Sequence, residues 1–524
     1  MKSSNFGNYS VLAESNGLIT MKIPPGKLAG AFLATLALAA TATAQVGNNS
    51  PTSSANSLYG SVTIGQRLPV VLPLSLDDAI RRGLRWNLQT TLARQNEDVA
   101  SGERLEAINF LMPTVRWQAE RSRIQINLAA QGFNSKLLRS FPPGLIPPSA
   151  LNSIPTVVTA NVVSGQASLD QTLFDWRSLE LYRAAQQEFR AVGYTYQSAR
   201  GLVMQNVADS YLQALAAQAN LDDARGLLAT NREILRQARL EHQAGVVPKL
   251  DELRARVQYQ QQQQVIVARQ DAFEKAKITL NREIGLPVDQ QIQLSDETPY
   301  AGLRMMPLDQ ALKLAYANRQ EYLYLKAKLR SARYQSRAAR YERLPTLTFS
   351  GNYGVTGTVG SIYHGTFLAQ GTLNIPLFRE AKFRGDRDVA DAAVSNAMAQ
   401  LANYHQEIEQ EIRDNMLDVA STGQLVDVAR SNVALSRASL NDAANRFRNG
   451  VDNDLPVVEA QSTLASAEAQ LVNSLYQYNV AKIALARSIG IIDRAYRQYL
   501  GTSAEDAQSV NSTSVDLAAS TGVR

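Results

Sequence analysis

Apolar and polar positions along the chain follow two rhythms, and each rhythm occurs twice. The first is a seven-residue beat. Leu221, Leu228 and Leu235 correspond, 205 residues later, to Val426, Val433 and Leu440, inside the longer series Val419, Val426, Val433, Leu440 and Phe447. Tyr259, Ile266, Phe273 and Leu280 correspond in the same way to Leu464, Leu471, Tyr478 and Leu485. A sustained heptad marks helices packed as coiled coils. Ala217, Ala224 and Ala238 lie between the large residues and permit close approach, while glutamine at all of positions 260–264 suggests a second face in water. The helices are long. Residues 177–244 hold no proline over 68 positions, which as a helix measures about 100 Å. Gly245 and Pro248 then predict a turn, followed by a helix over 250–284; the second copy runs over 381–449, turns at 450–456 and continues to about 489.

The second rhythm alternates with period two. Val115, Trp117 and Ala119 alternate with Arg116, Gln118 and Glu120; Val163, Gly165, Ala167 and Leu169 alternate with Ser164, Gln166, Ser168 and Asp170. In the later copy Leu347, Phe349, Gly351, Tyr353 and Val355 oppose Thr346, Thr348, Ser350 and Asn352, and after a short loop Phe367, Ala369, Gly371, Leu373 and Ile375 oppose Gln370, Thr372 and Asn374. These are four strands, two per copy. A Pro-rich loop over 141–148 separates the first two. Ahead of them, Ser75 and Asp78 form a capping pattern that predicts one helix running to about Phe110, ended by Pro113. Taken alone, the strands fit bilayer-crossing segments and a soluble sandwich with one wet face equally well. The helices decide between them: they are too long to bury themselves on four short strands and must pack on one another, across copies and across chains. Four membrane strands cannot close a barrel, and an open edge in lipid leaves backbone groups without partners. Three chains pooling their strands would give twelve.

The duplication also shows in local signatures. Leu76-Asp77-Asp78-Ala79-Ile80-Arg81 recurs 232 positions later as Leu308-Asp309-Gln310-Ala311-Leu312-Lys313, and Leu111-Met112-Pro113-Thr114-Val115 as Arg343-Leu344-Pro345-Thr346-Leu347. Arg282-Glu283-Ile284-Gly285 meets Arg487-Ser488-Ile489-Gly490 at the shift of 205. The expected division is a signal peptide over 1–44, a flexible segment over 45–72, a first repeat over 73–286, an inter-repeat segment over 287–305, a second repeat over 306–490, and a C-terminal segment with a disordered tail over 491–524. The signal peptide rests on Lys22 and Lys27, the apolar run over 28–40 and the Ala42-Thr43-Ala44 cleavage pattern, with Met21 as a second possible start.

Composition removes several chemistries. The formal net charge is +6 over 524 residues, without the concentrated basic stripe of a nucleic-acid binder, and there is no cysteine. His242, His364 and His405 lie far apart, so no metal site or cofactor is expected. No phosphate-binding glycine loop, nucleophile elbow or zinc-protease motif occurs, and an enzyme is not expected. Arg384-Gly385-Asp386 spells an adhesion tripeptide, but reads better as a helix start.

In this order and double occurrence, the Leu-x-x-Ala-[Ile/Leu] openings, the Leu-Pro-Thr strand entries, the exits Leu173-Phe174-Asp175 and Pro376-Leu377-Phe378, and the closing Arg-x-Ile-Gly resemble the TolC-like outer-membrane efflux proteins over about 73–490. The resemblance implies a mainly α protein with a small β part: a long coiled-coil α-helical barrel below a transmembrane β-barrel with four strands per chain, assembled as a homotrimer from an internal duplication. It further implies an exit duct of a tripartite efflux pump or type I secretion system, set in outer-membrane lipid, reaching into the periplasm, and joined to a periplasmic adaptor and an inner-membrane transporter. By the same resemblance, the inter-repeat segment and the start of the tail belt the tunnel at mid-height. The gate lies at the hairpin turns Gly245 and Gly450, with Asp251, Asp452, Asp454 and Glu459 as candidate members of acidic rings; each is also a plausible turn or helix-start carboxylate. Pro456 and Asp452 depart from the family pattern, since Asp452 stands where a basic residue would pair with Asp251. A periplasmic coiled-coil scaffold or adaptor without a pore explains the heptads but not the four duplicated strands.

Overall fold

The computed structural model describes residues 60–62, 66–128, 130, 157–245, 247–296, 302–360, 362–449, 451 and 455–500. The expected signal peptide, most of the 45–72 segment, the Pro-rich loop, Gly450, Asp452, Asp454 and the tail from Thr502 lie outside them.

The single helix expected from Ser75 to Phe110 is two: α1 (Leu76–Trp86) and α2 (Leu88–Asn109). Ser75 caps α1 by accepting the Asp78 N–H, as its spacing predicts. Asn87 is extended at φ −64° and ψ 137°, and its side chain accepts the Gln89 N–H, so one residue ends α1 and caps α2. The second copy breaks 232 residues later at Arg319, φ −68° and ψ 118°, between α5 (Leu308–Asn318) and α6 (Gln320–Tyr341). A one-residue break barely shifts the apolar stripe, so periodicity alone runs straight across it.

Each break rests on the glycine that closes its own repeat. Gly285 (φ 80°) follows α4 (Lys249–Glu283), and a Cβ there would stand 2.7 Å from the Trp86 Cβ; Gly490 (φ 79°) follows α8 (Leu455–Ser488), and a Cβ there would stand 2.8 Å from the Arg319 backbone nitrogen. Both helix ends are tied by a bond reaching back five residues, Leu286 N–H to the Asn281 carbonyl and Ile491 N–H to the Ala486 carbonyl, the Schellman arrangement. Gly490→Ala combines left-handed strain with a backbone clash, and a loss of roughly 2–4 kcal/mol is expected. Thermal unfolding checks it, with Gly226→Ala, where a Cβ meets nothing within 4 Å, as the unstrained control, expected to be unchanged or up to about 1 kcal/mol more stable.

The two long hairpins follow the heptads closely. α3 (Trp176–Gln243) spans 68 residues and returns through α4; α7 (Glu380–Arg448) spans 69 and returns through α8. Leu221, Val419, Val426, Leu464, Tyr478 and Leu485 are all buried, as the beat requires. No helix among the described residues is long and apolar enough to cross a membrane.

Four antiparallel strands form one sheet in the order β2 (Thr114–Asn127), β3 (Val157–Phe174), β5 (Thr346–Thr358), β6 (His364–Asn374). They hold 14, 18, 13 and 11 residues, longer in the first copy than the alternation suggests. A smaller element joins the start of the chain to its middle: β1 (Leu72–Leu74) pairs in parallel with β4 (Ile292–Leu294). Three-residue strands carry too little pattern to be read from sequence. Asp296 locks this element to the helices, accepting from the Leu76 N–H at 2.7 Å and from the Tyr211 hydroxyl at 2.8 Å, while the same hydroxyl lies 3.0 Å from the Leu74 carbonyl. At the other end of the chain α9 (Ile492–Leu500) is pinned through Arg497 and Tyr496 to Asp77. The main core gathers here, with Val203, Val207 and Ile284 from the first copy and Ile408, Ile483 and Ile489 from the second in one cluster.

Candidate functional site

The sheet carries its chemistry on two faces. Register places Val115 and Leu169, Trp117 and Ala167, and Ala119 and Gly165 opposite one another, then Leu169 with Gly351, Ala167 with Tyr353, Tyr353 with Phe367, and Leu347 with Leu373. Every residue of the apolar alternation therefore points to one side. Trp117, Ala167, Tyr353 and Phe367 form a single rung, and its three aromatic members are more than 70% exposed. An apolar band with an exposed aromatic row is what lipid requires of a barrel's outer wall. The opposite face holds Arg116, Ser168, Asn352 and Leu368 on one rung and Gln118, Gln166, Gly354 and Thr366 on the next, a mostly polar wall suited to water. Arg116 and Asp170 form an ion pair on it. Past Ala119 the two faces exchange character: Arg121 and Arg123 continue the apolar side, while Ile124 and Ile126 continue the polar one, opposite Ala160 and Val158. The apolar alternation on β2 thus ends at Ala119.

β2 and β6 are the outer strands, and each has a neighbour on one side only. A backbone edge of this length in a membrane demands a partner.

At the far end of the long hairpins, α3 turns into α4 through Gly245, at φ 75°. The Asp251 side chain lies in the first turn of α4, mostly covered, 3.7 Å from the Arg254 guanidinium. Glu459 is exposed on α8. The expected acidic candidates thus split: Asp251 is engaged with its own helix, Glu459 faces solvent, and Asp452, Asp454 and Gly450 lie outside the described residues.

The tip contains a carboxylate that the sequence reading missed. Glu252 is 8% exposed, with Lys249 Nζ at 2.6 Å, Arg239 Nε at 3.8 Å and His242 Nε2 at 4.0 Å. The Lys249 hydrogen bond, foremost, holds its carboxyl below the usual range. His242 Nδ1 also lies 3.2 Å from the Val247 carbonyl, so the ring braces both sides of the turn. Folding the hairpin about 245–248 brings 239–242 opposite 249–252, and that step alone would have found the cluster. Beside it, Leu250, Leu253 and Val257 of α4 face Leu455 and Val458 of α8 across a groove of about 390 Å³. Leu250, Leu253, Val257 and Leu455 are exposed, so the groove is an apolar opening between the two hairpins. Among the described residues no cluster of three metal-ligating side chains occurs.

The sequence profile described as "Outer membrane efflux protein" matches residues 150–286 and 311–491. The toluene efflux pump outer membrane protein TtgF of Pseudomonas putida is 28% identical over 324 residues, covering 60% of this chain and 65% of that one, so this chain spans just under two thirds of that relative's length. The outer membrane protein TolC of Escherichia coli is 22% identical over 356 residues, covering 64% and 71%. Among solved structures, the Campylobacter jejuni CmeC outer membrane channel aligns with a TM-score of 0.65 at 18% identity, over 80% of this chain and 86% of that one, a likeness of fold. With both repeats matched over more than half its length, the chain belongs to the outer membrane efflux protein family.

Proposed function

We propose that the chain is the outer-membrane exit duct of a tripartite efflux pump or type I secretion system, a transporter component and not an enzyme. Three copies join β6 of one to β2 of the next, closing twelve strands around a polar lumen, and the long hairpins continue that lumen through the periplasm. The observation that carries the reading is the four-stranded sheet with a continuous apolar band on one face, from Val115 to Ala119 on β2 across to Phe367 and Leu373 on β6, and two unpartnered edges. A periplasmic scaffold has no use for such a sheet. The duct needs no bond chemistry: it lowers the barrier to crossing the bilayer, and work is supplied by an inner-membrane transporter. The apolar groove between the hairpin tips suits a periplasmic adaptor, whose helical tips would bury Leu253 and Leu455. The protein should remain in the outer-membrane pellet after carbonate and urea washing; release into the wash would point to the scaffold.

The acidic tip residues are proposed to set cation passage, because each appears three times around the closed end. Asp452→Ala or Asp454→Ala, tested with Asp251→Ala and Glu459→Ala, is expected to change single-channel conductance or its block by multivalent cations in a planar bilayer. Unchanged currents in all four would remove these side chains from the gate.

A further inference from the structure

A row of arginines on α6 has no part in the duct as described. Arg330, Arg333, Arg337 and Arg340 stand at helical spacing on one face and line an open groove of about 640 Å³ between α6 and α7, with Tyr334 and Ser336 on α6 and Asp391 on α7. All four are exposed. Two of them are anchored. Arg337 reaches Glu180 at 3.0 Å and lies over the Tyr334 ring at 4.4 Å; Arg340 meets Asp391 at 3.1 Å, where Ser336 also donates at 2.6 Å. Arg330 and Arg333 form no ion pair among the described residues. Asp391 is the only carboxylate in the lining, so the groove keeps a clear positive excess.

One flank of α6 is taken within the chain by α3, through Ser331 to the Ala184 carbonyl at 3.2 Å and the Lys328–Glu188 pair; the other is taken by α7 through Asp391. The arginine row lies between those flanks and is exposed to water in the chain. It extends for about 15 Å along the helix axis and ends six residues before Thr346, where β5 begins. The groove therefore opens just on the periplasmic side of the apolar band.

Guanidinium groups at fixed positions, two oriented by carboxylates and two available, match the fork geometry that binds phosphate oxygens. We propose that this groove binds a phosphate-bearing anion, held by Arg330 and Arg333 in direct contact and by Arg337 and Arg340 from preset positions. The inference goes beyond the duct reading. Its phosphate chemistry is shared by a lipid headgroup of the adjacent leaflet and by a free phosphorylated solute, and the test separates them.

Full-length protein in non-ionic detergent is titrated with inorganic pyrophosphate and, separately, with phosphatidylglycerol in mixed micelles, with phosphatidylcholine as the zwitterionic control; occupancy is read by native mass spectrometry. The test variant is Arg330→Gln/Arg333→Gln, at two positions whose loss breaks no ion pair of the fold. Arg232→Gln/Arg269→Gln removes the same charge elsewhere. Saturable binding that weakens at least tenfold in the test variant, and much less in the charge-matched one, is the expected result. Binding of phosphatidylglycerol without pyrophosphate assigns the lipid headgroup, and binding of both assigns the phosphate group itself. No saturable binding of either probe, or equal losses in the two variants, overturns the proposal.

Discussion

Ala369→Arg is expected to stop the protein from assembling in the outer membrane, while Gln370→Arg, one residue along, leaves assembly intact. Successive side chains of a strand point to opposite faces. Ala369 pairs with Gly351 on the apolar side, and Gln370 pairs with Ser350 on the polar side. A lipid-facing arginine costs roughly 2–4 kcal/mol near the bilayer midplane, and three subunits incur it together. In the lumen the same side chain stays hydrated and adds three positive charges to the wall. The expected readout for Ala369→Arg is loss of heat-stable oligomer from the membrane fraction. Gln370→Arg should yield normal oligomer with reduced cation preference in bilayer recordings. Equal tolerance of both changes would show that the apolar face is not in lipid.

Glu283→Gln is expected to stabilise the helical body near pH 8. Asp209 and Ser210 on α3, Glu283 at the end of α4, and Tyr476 and Arg487 on α8 meet in the interior where the two repeats join. Glu283 is 2% exposed, and among the described residues its Oε2 has no hydrogen-bond partner, as is true of the Asp209 Oδ1. Burial pushes Asp209 up from 3.8 to about 7 against the pull of Arg487. Burial likewise pushes Glu283 up from 4.5 to about 7, with Ser210 opposing the rise and Asp209 adding to it. Arg487 is shared with Glu321, 3.5 Å away, and so cannot neutralise the pair fully. A raised folded-state pKa for an acid means stability that is fully present below the unfolded value and lost as pH rises through the folded one. The window is therefore about pH 4 to 7. At pH 8 the wild-type chain carries the cost of two buried charges, and removing one should return roughly 1–3 kcal/mol. Lys482 behaves oppositely at higher pH: burial lowers it to about 8, so its contribution is present above 10.5 and lost as pH falls through about 8. Unfolding midpoints of wild type and Glu283→Gln between pH 5 and 8 check the claim. Parallel curves would mean that the carboxylate is solvated or paired.

Much of this molecule is written in its periodicities. Long helices with a seven-residue beat and strands with period two each depend on near neighbours along the chain, so the hairpins and the faces of the alternating stretches could be read from sequence, while residues 121–127 and 157–162, where the alternation fails, could not. The one-residue breaks at Asn87 and Arg319 could not, because a single extended residue leaves the apolar stripe nearly in phase. The Leu72–Leu74 and Ile292–Leu294 pair escaped notice since its partners lie some 220 residues apart and are three residues long. Glu252 is legible only after the hairpin is closed, when Arg239 and His242 come across the turn. Asp209 and Glu283 look like ordinary helix-surface carboxylates until three helices cover them. Local pattern thus specified the architecture, and the sites that depend on tertiary closure needed the structure.

The central claim is that β6 of one subunit pairs with β2 of the next. The chain has no cysteine, so introduced thiols report only the contact under test. Gln118→Cys in β2 is to be combined in turn with single cysteines along residues 364–374, and the oxidised protein separated by mass under denaturing conditions. Within one subunit the two edge strands are separated by two others, about 14 Å across, too far for a disulfide. The expected result is that some pairings give covalent dimers and trimers and nothing larger. Monomer alone at every position, or a ladder that continues beyond three, would contradict a closed barrel of three chains.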